Sequence, residues 1–434
     1  MSSSSATRQA QQGGDPATVV DAMSAVDRAA LKRAHRTSDW ADIEAILRSK
    51  DFEPPGVQDG AVVEYQSRVV GDTMLELRGE EHAMRRKIQA PLFRSEAIRA
   101  LEEEYLVPAL RQTIDGLRVT PSPTAPATAD LLALTQRVFF GLMARLLGMR
   151  LDTPEKIDRF ESSFQAIDDA VRVKYTTADA EAIARKGLEV QERIMQEFFR
   201  PAWRERTELF RAVEEGRADP AELPEDFMTI ALRNLEHYER WGPKTIEREA
   251  TLYIAASVAT TATNICHAVC SIERWIHEHP EDAAKRTDEA FLEAALHESL
   301  RLYARKWLLR AATTDTVLPT GEAIAKGELV WLDFEGAYRA IAGDDHDRFD
   351  PYRKLSSGRP WGPAFADGRH TCIGKNLVLG DGANEAGGRR GTAKTMMLEL
   401  YRVGMRLDRE RAPVITDESV RQMFLSCPIV LTAL

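Results

Sequence analysis

Residues 365–374 read Phe365-Ala-Asp-Gly368-Arg-His370-Thr-Cys372-Ile-Gly374, and a helical pattern starts at Lys375. Gly368 permits a tight turn, and Gly374 permits a close approach to the backbone that a Cβ would obstruct. Cys372 stands just before a helix N-terminus, whose dipole and free N–H groups favour a thiolate. A thiolate is the form of cysteine that binds metals, so this loop makes Cys372 a candidate ligand. The competing reading of the loop alone is a buried structural cysteine in a glycine turn.

Working outward, helical patterns dominate: 40–49, 80–90, 94–118, 129–148, 155–175, 178–214, 225–240, 243–279, 288–304 and 392–405. The longest opens on Pro243, a favourable first-turn residue, and meets no Gly or Pro until Pro280. Its centre, Ala255 to Thr263, is rich in small residues that let something bulky or flat lie against the backbone, or that serve close helix packing. Strand candidates are few and short: 62–65, 307–312, 328–333 and 428–432. Nothing alternates regularly between strand and helix, so a doubly wound sheet is not expected. The fold class read here is mainly α with a small β region.

Residues 1–18 are polar and aperiodic and read as a disordered tail, leaving 19–434 as a single domain. The 434 residues are 44% hydrophobic and 29% charged, the balance of a globular protein. A formal charge of -10 argues against nucleic acid as the main partner, because phosphate binding wants a basic field. No apolar run of about 18 residues and no signal peptide are apparent, which predicts a cytoplasmic protein that does not engage a membrane. Four cysteines (Cys266, Cys270, Cys372 and Cys427) are too few for a disulfide scaffold. Cys266 and Cys270, in an apolar stretch around His267, read as buried packing residues.

The loop Phe-x-x-Gly-x-x-x-Cys-x-Gly resembles the ligand loop of the cytochrome P-450 haem-thiolate family. Other segments resemble that family in the same order. Glu298 and Arg301, spaced i,i+3 in HESLRLY, look like its Glu-x-x-Arg pair, with Arg348 in HDRFDP at the position of the arginine that completes the network. Thr260-Thr261 looks like its oxygen-side threonine pair. His82, Arg86, Arg310 and His370 look like its propionate partners, since a buried carboxylate requires cationic donors.

The resemblance implies a cytochrome P-450-like fold holding haem b (iron protoporphyrin IX). Cys372 is the implied axial iron ligand, and Phe365 and Gly374 are implied to line the cofactor. Thr260 is the implied proton relay, and Glu298, Arg301 and Arg348 are implied to be structural. By position relative to these motifs, Ile254, Ala255, Val258, Leu308 and Leu309 are candidates for an apolar substrate wall. The implied activity is monooxygenation of a small, largely apolar substrate: hydroxylation, epoxidation or oxidative dealkylation. Electrons are expected from a separate ferredoxin and ferredoxin reductase or a similar donor, which Arg85, Arg389 and Arg390 are placed to meet.

Three departures qualify this. Ala259 replaces the acid that usually precedes the threonine pair, so Thr260 must work with water, a substrate group or another acid. The segment 380–391 carries five glycines in twelve residues, which predicts a loop insertion where the family continues a helix. The short stretch before residue 39 predicts a trimmed N-terminal β lobe. The missing acid leaves open a peroxide-dependent enzyme, or an isomerase or dehydratase, on the same haem. A non-catalytic haem-binding sensor is the reading outside enzymes.

Overall fold

In the computed structural model, the described residues are 32–56, 64–118, 127–173, 179–304, 307–380, 390–416 and 423–432. The expected tail, 1–18, lies outside them. The organising element is the helix Pro243–Glu278, 36 residues capped by Gly242 and started by Pro243. By length and composition this helix is apolar enough to cross a bilayer, contrary to the sequence reading, yet 78% of its most apolar window is buried inside the protein. Apolar residues go all the way round it because the helices Leu131–Leu147, Glu289–Tyr303 and Thr392–Arg402 pack on it or on its neighbours in one continuous core.

A second, smaller core lies under a four-stranded sheet. Its strand order is His35–Thr37, Leu329–Asp333, Trp307–Ala312, Phe52–Glu53, with the first pair parallel and the others antiparallel. The helices Trp40–Arg48 and Phe334–Ala342 cover it with Ile43, Ile46, Phe334 and Ala337. Glu53, on the edge strand, pairs with Ala311 and meets Arg369 and His370 of the cysteine loop, while Arg310 pairs with Val330 on the neighbouring interior strand. A separate antiparallel sheet joins Ala127–Asp130, Pro428–Leu431 and Met405–Leu407.

Several expectations need correction. Of the strand expected at 62–65, residues 62 and 63 lie outside the described residues, and Glu64 and Tyr65 open the helix Glu64–Val70. The helix expected over 225–240 is only Phe227–Arg233. The helix Phe334–Ala342 was not foreseen. The helix Lys375–Leu379 stops at Gly380, and Thr392–Arg402 starts after Gly391. Residues 381–389 lie outside the described residues, but the two ends meet. A Cβ on Gly391, at φ +79°, would stand 2.3 Å from the Leu379 carbonyl carbon and 2.4 Å from Gly380 N.

Candidate active site

The loop around Cys372 is built by its own backbone. Cys372 N donates to Phe365 O at 2.8 Å, Thr371 N to Gly368 O at 3.1 Å, and Lys375 N to Cys372 O at 3.2 Å. Gly368 sits at φ +67°, and a Cβ there would meet Leu47 O at 2.2 Å, so only glycine fits. Ala366 also adopts the left-handed region, at φ +54°, where a Cβ is disfavoured. Phe365 is buried, whereas Cys372 is exposed. Among the described residues, a Cβ built on Gly374 meets nothing within 4 Å except Cys372 Sγ at 3.9 Å, so open space lies over both residues.

That space has a second wall. The long helix is buried through most of its length, but Ala256 is exposed and Ser257, Thr260 and Asn264 are half-buried. At about 100° per residue these four fall on one stripe, which also carries Tyr253. The Tyr253 side chain lies within electrostatic range of both Cys372 and Arg86, so the stripe faces the cysteine loop. Thr260 Oγ1 donates back to Ala256 O at 2.5 Å, and Ser257 Oγ to Tyr253 O at 2.6 Å.

The five wall candidates fare differently. Ile254, Ala255 and Val258 lie on the opposite side of the helix, packed in the main core. Leu308 and Leu309 are neighbours on one strand and therefore point to opposite faces; Leu308 packs against the small core under the sheet. The 3.6-residue period, counted from Thr260, would have selected Ala256 and Ser257 instead.

Charge around the cavity is uneven. Arg86 is half-buried with no carboxylate partner among the described residues; desolvation lowers its pKa, opposed by Cys372 and Tyr253. A desolvated cation of this kind calls for an anion brought by something else. His82 is buried, and burial together with His370 and Arg86 pushes its pKa down to about 4, so it meets a partner as a neutral N–H donor. Its ring lies 4.1 Å from that of His370. Arg310 is buried on its strand, with Nη1 donating to Leu309 O at 3.0 Å.

His370 is otherwise engaged. Its Nε2 bonds the buried Glu53 carboxylate, which also accepts from Arg369 Nη1 at 3.0 Å and Gly79 N at 3.2 Å. Burial alone would raise the Glu53 pKa, but His370 and these N–H donors hold it at about 2. Sequence reasoning missed Glu53, because a lone carboxylate on a two-residue strand carries no motif. Its presence makes His370 a tie between loop and sheet through Nε2.

The expected trio is also redrawn. Arg301 grips Glu298 with two bonds, Nε–Oε2 at 2.7 Å and Nη2–Oε1 at 2.8 Å, and the pair is buried. The third member is Arg353, whose Nε reaches Glu298 Oε1 at 2.9 Å. Arg348 is exposed on the turn; its carbonyl accepts from Arg353 Nη2 at 3.0 Å, so it supports the network through its backbone alone. The basic residues expected at a donor surface are likewise committed. Arg85 is fully buried against Glu249, Arg390 pairs with Glu289 at 2.8 Å, and Arg389 lies outside the described residues.

The remaining cysteines cluster away from Cys372. Cys270 Sγ is 3.9 Å from Cys427 Sγ, and burial raises the Cys266 pKa. His267 stacks on Tyr303 with ring centres 4.4 Å apart, so the segment around Cys266 and Cys270 is packing.

No family profile matches the chain. A cytochrome P450 133B1 of Xylella fastidiosa, named putative, is 29% identical over 156 residues, 36% of this chain and 37% of that protein. Rat cytochrome P450 4F5 is 26% identical over 185 residues, 36% of this chain and 34% of that protein. The matched stretch thus spans about a third of each relative's length. Among solved structures, HmtT, involved in himastatin biosynthesis, superposes with a TM-score of 0.70 at 16% identity, covering 92% of this chain and 91% of that one. P450BioI in complex with an acyl carrier protein gives 0.67 at 15%, and CYP154A1 of Streptomyces coelicolor 0.65 at 21%, each covering 92% of both chains.

Proposed function

We propose that this chain, which belongs to the cytochrome P450 family, is a haem-thiolate monooxygenase acting on a small, largely apolar organic molecule. The observation that carries the reading is the pairing of two walls: the Cys372 loop on one side, and the accessible stripe Ala256, Ser257, Thr260 on the other. The residues present fit a haem. Gly374 leaves room beside Cys372 Sγ, and Arg86 is a desolvated cation awaiting a carboxylate. Cys372 would hold the iron, Arg86, His82 and Arg310 the propionates, and Phe365 and Gly374 the adjoining face. When bound, haem b supplies the one-electron and O₂ chemistry, which a thiolate ligand favours.

The protein's own part is orientation and proton handling. Ala256 and Ser257 leave a shallow wall on which an apolar substrate can rest. Thr260 keeps its hydroxyl oxygen at that wall with its proton resting on the Ala256 carbonyl, so it can accept a hydrogen bond from water or substrate and hand its own proton on in exchange. Glu298, with Arg301 and Arg353, fixes the segment leading to the loop. Electrons come from separate redox proteins, a ferredoxin and its reductase or a similar pair, and the enzyme acts in the cytoplasm.

The test is the spectrum of the reduced CO complex in wild type and Cys372→Ala, followed by product formation with O₂, NAD(P)H and a surrogate donor pair. A thiolate-type spectrum that persists in Cys372→Ala overturns the ligand assignment. Ala259 specifically favours a second reading, a peroxide-dependent enzyme. Product formed with H₂O₂ alone, and none with O₂ and NAD(P)H, would select it.

A further inference from the structure

The long helix carries one buried carboxylate that nothing above employs. Glu249 is fully buried, with Oε1 accepting from Arg85 Nη1 at 2.7 Å and from Met74 N at 3.0 Å. Its other oxygen, Oε2, has no well-formed hydrogen bond among the described residues, although the Gln89 amide lies close enough to help hold the carboxyl pKa down, and the buried Tyr253 hydroxyl and Gln89 Oε1 have no partner among them. Buried polar atoms left without a full set of partners on Glu249, Gln89 and Tyr253 are unusual in a folded protein and point to shared protons or internal water.

Position adds direction. Glu249, Tyr253, Ser257 and Thr260 stand at i, i+4, i+8 and i+11, within an arc of about 80° on one face of the helix. The face starts in the closed interior and ends, about 16 Å further on, at the wall opposite Cys372. Desolvation raises the Glu249 carboxyl to about 7 even against the Arg85 charge, so the group can hold or yield a proton at neutral pH. On the outer side Arg85 also approaches Asp72 at 3.8 Å and Tyr238 Oη at 3.4 Å, and Tyr238 bonds Glu81. Asp72 and Glu81 are partly exposed, which gives the interior a polar connection to solvent.

We propose that Glu249 is the internal proton reservoir of this enzyme and that Tyr253 passes its proton along the helix face to Ser257 and Thr260. The inference rests on the monooxygenase reading, in which a substrate RH, O₂, two electrons and two protons give ROH and water. The electrons come from the redox donor. The protons come from solvent by way of Glu249, which is reprotonated through the Asp72–Tyr238 side. Tyr253 accepts one proton as it donates another, and so ends unchanged, with single waters bridging the gaps between side chains.

The test uses the haem-loaded wild type, Tyr253→Phe, Glu249→Gln and Glu249→Asp. Infrared spectra come first: a protonated carboxyl band that shifts in D₂O should be present in wild type and absent in Glu249→Gln. Substrate-free NADPH consumption with a ferredoxin pair and O₂ comes second. It should slow roughly tenfold or more in Tyr253→Phe, with a changed solvent isotope effect, while Glu249→Asp restores part of the loss. Tyr253→Phe removes only an unpartnered hydroxyl, so a merely structural role predicts unaltered turnover and an equal or higher melting temperature. Unaltered turnover and isotope effect in Tyr253→Phe, or a carboxyl band that survives Glu249→Gln, overturn the relay. If Glu249→Gln does not fold, Tyr253→Phe decides alone. Absence of a thiolate-type CO spectrum in wild type instead overturns the monooxygenase reading itself.

Discussion

Arg353 donates from Nε to the same Glu298 oxygen, Oε1, that Arg301 takes with Nη2, the two bonds being 2.9 and 2.8 Å. One carboxylate thus bonds two guanidinium groups, with Asp345 supplying a second negative charge to Arg353, and also accepts from Asp350 N at 3.3 Å. Arg353 further ties Asp345 Oδ1 at 2.9 Å and the Arg348 carbonyl, so the turn before the cysteine loop is fastened to the helix Glu289–Tyr303 by one side chain.

Arg353→Ala should therefore cost about 2 kcal/mol, the loss of charge-assisted bonds while Arg301 still satisfies Glu298. Glu298→Ala should cost more, about 3–5 kcal/mol, because it leaves a buried arginine unpaired. Arg348→Ala, which removes an exposed side chain, should stay within about 0.5 kcal/mol of wild type. Thermal or denaturant unfolding of the three variants checks the order. Equal effects at 348 and 353 would restore Arg348 to the network.

Acid should weaken the fold in two steps. His82 titrates at about 4 when folded against 6.5 as its ordinary value, so the unfolded chain binds more protons between those pH values. Its stabilising contribution is complete above about 6.5 and is lost as pH falls towards 4. Glu53, held at about 2 against an ordinary 4.5, contributes stability above 4.5 that is lost as pH falls towards 2. His82→Asn should flatten the upper part of the stability–pH curve, and Glu53→Gln the lower part. A Glu53→Gln curve that superposes on wild type below pH 4.5 contradicts the assignment.

These two residues also show what was legible in the sequence. The turn geometry of the cysteine loop was readable because its residue types follow from local backbone demands: Gly368 at φ +67°, and Gly374 beside Cys372 Sγ. The long helix was readable from its period and from Pro243. Glu53 was not, because its role depends on a strand pairing 258 residues away in sequence, Glu53 with Ala311. Arg353 replaced Arg348 for a related reason. In an irregular turn, which of two nearby arginines points inward is set by tertiary contacts, not by any period. Ile254, Ala255 and Val258 fall off the accessible stripe because the helical angle carries them round into the main core.

Ala366→Gly should stabilise the loop. Ala366 sits at φ +54°, a conformation that costs a residue with a Cβ about 1–2 kcal/mol. Part of that gain is offset by the larger unfolded-state entropy of glycine, leaving about 0.5–1 kcal/mol. A higher melting temperature of the haem-loaded protein, with an unchanged CO spectrum, is the expected result. Gly368→Ala, where a Cβ would strike Leu47 O, should do the reverse and reduce haem loading.

Deleting residues 381–389 should leave haem binding intact, because Gly380 and Gly391 already touch and the helix Thr392–Arg402 keeps its anchor through Arg390 and Glu289. The position of the segment, shortly after Cys372, predicts an effect on reduction by a donor protein. Stopped-flow reduction rates should change while the CO spectrum does not. Loss of haem would make the segment structural, and unchanged rates would remove it from donor contact.

Ala259→Glu tests whether an acid next to Thr260 can be restored simply by putting one back. The structure argues against it. Ala259 is buried in the main core, about 100° round the helix from Thr260, and faces away from the accessible stripe. A glutamate there must fit four more heavy-chain positions into close packing, which costs about 1–3 kcal/mol by itself. Its carboxyl also meets apolar neighbours, so it adds roughly 1–3 kcal/mol for an unpartnered polar group, or takes up a proton and stays neutral. Haem-loaded Ala259→Glu should therefore melt well below wild type and show no gain in product formed per NAD(P)H consumed. Thr260→Ala, by contrast, removes an accessible hydroxyl and should keep its melting temperature within a degree or two while losing coupling to peroxide release. A stable Ala259→Glu enzyme with better coupling than wild type would mean that residue 259 reaches the cavity, and that the helix sits rotated from the arrangement described above.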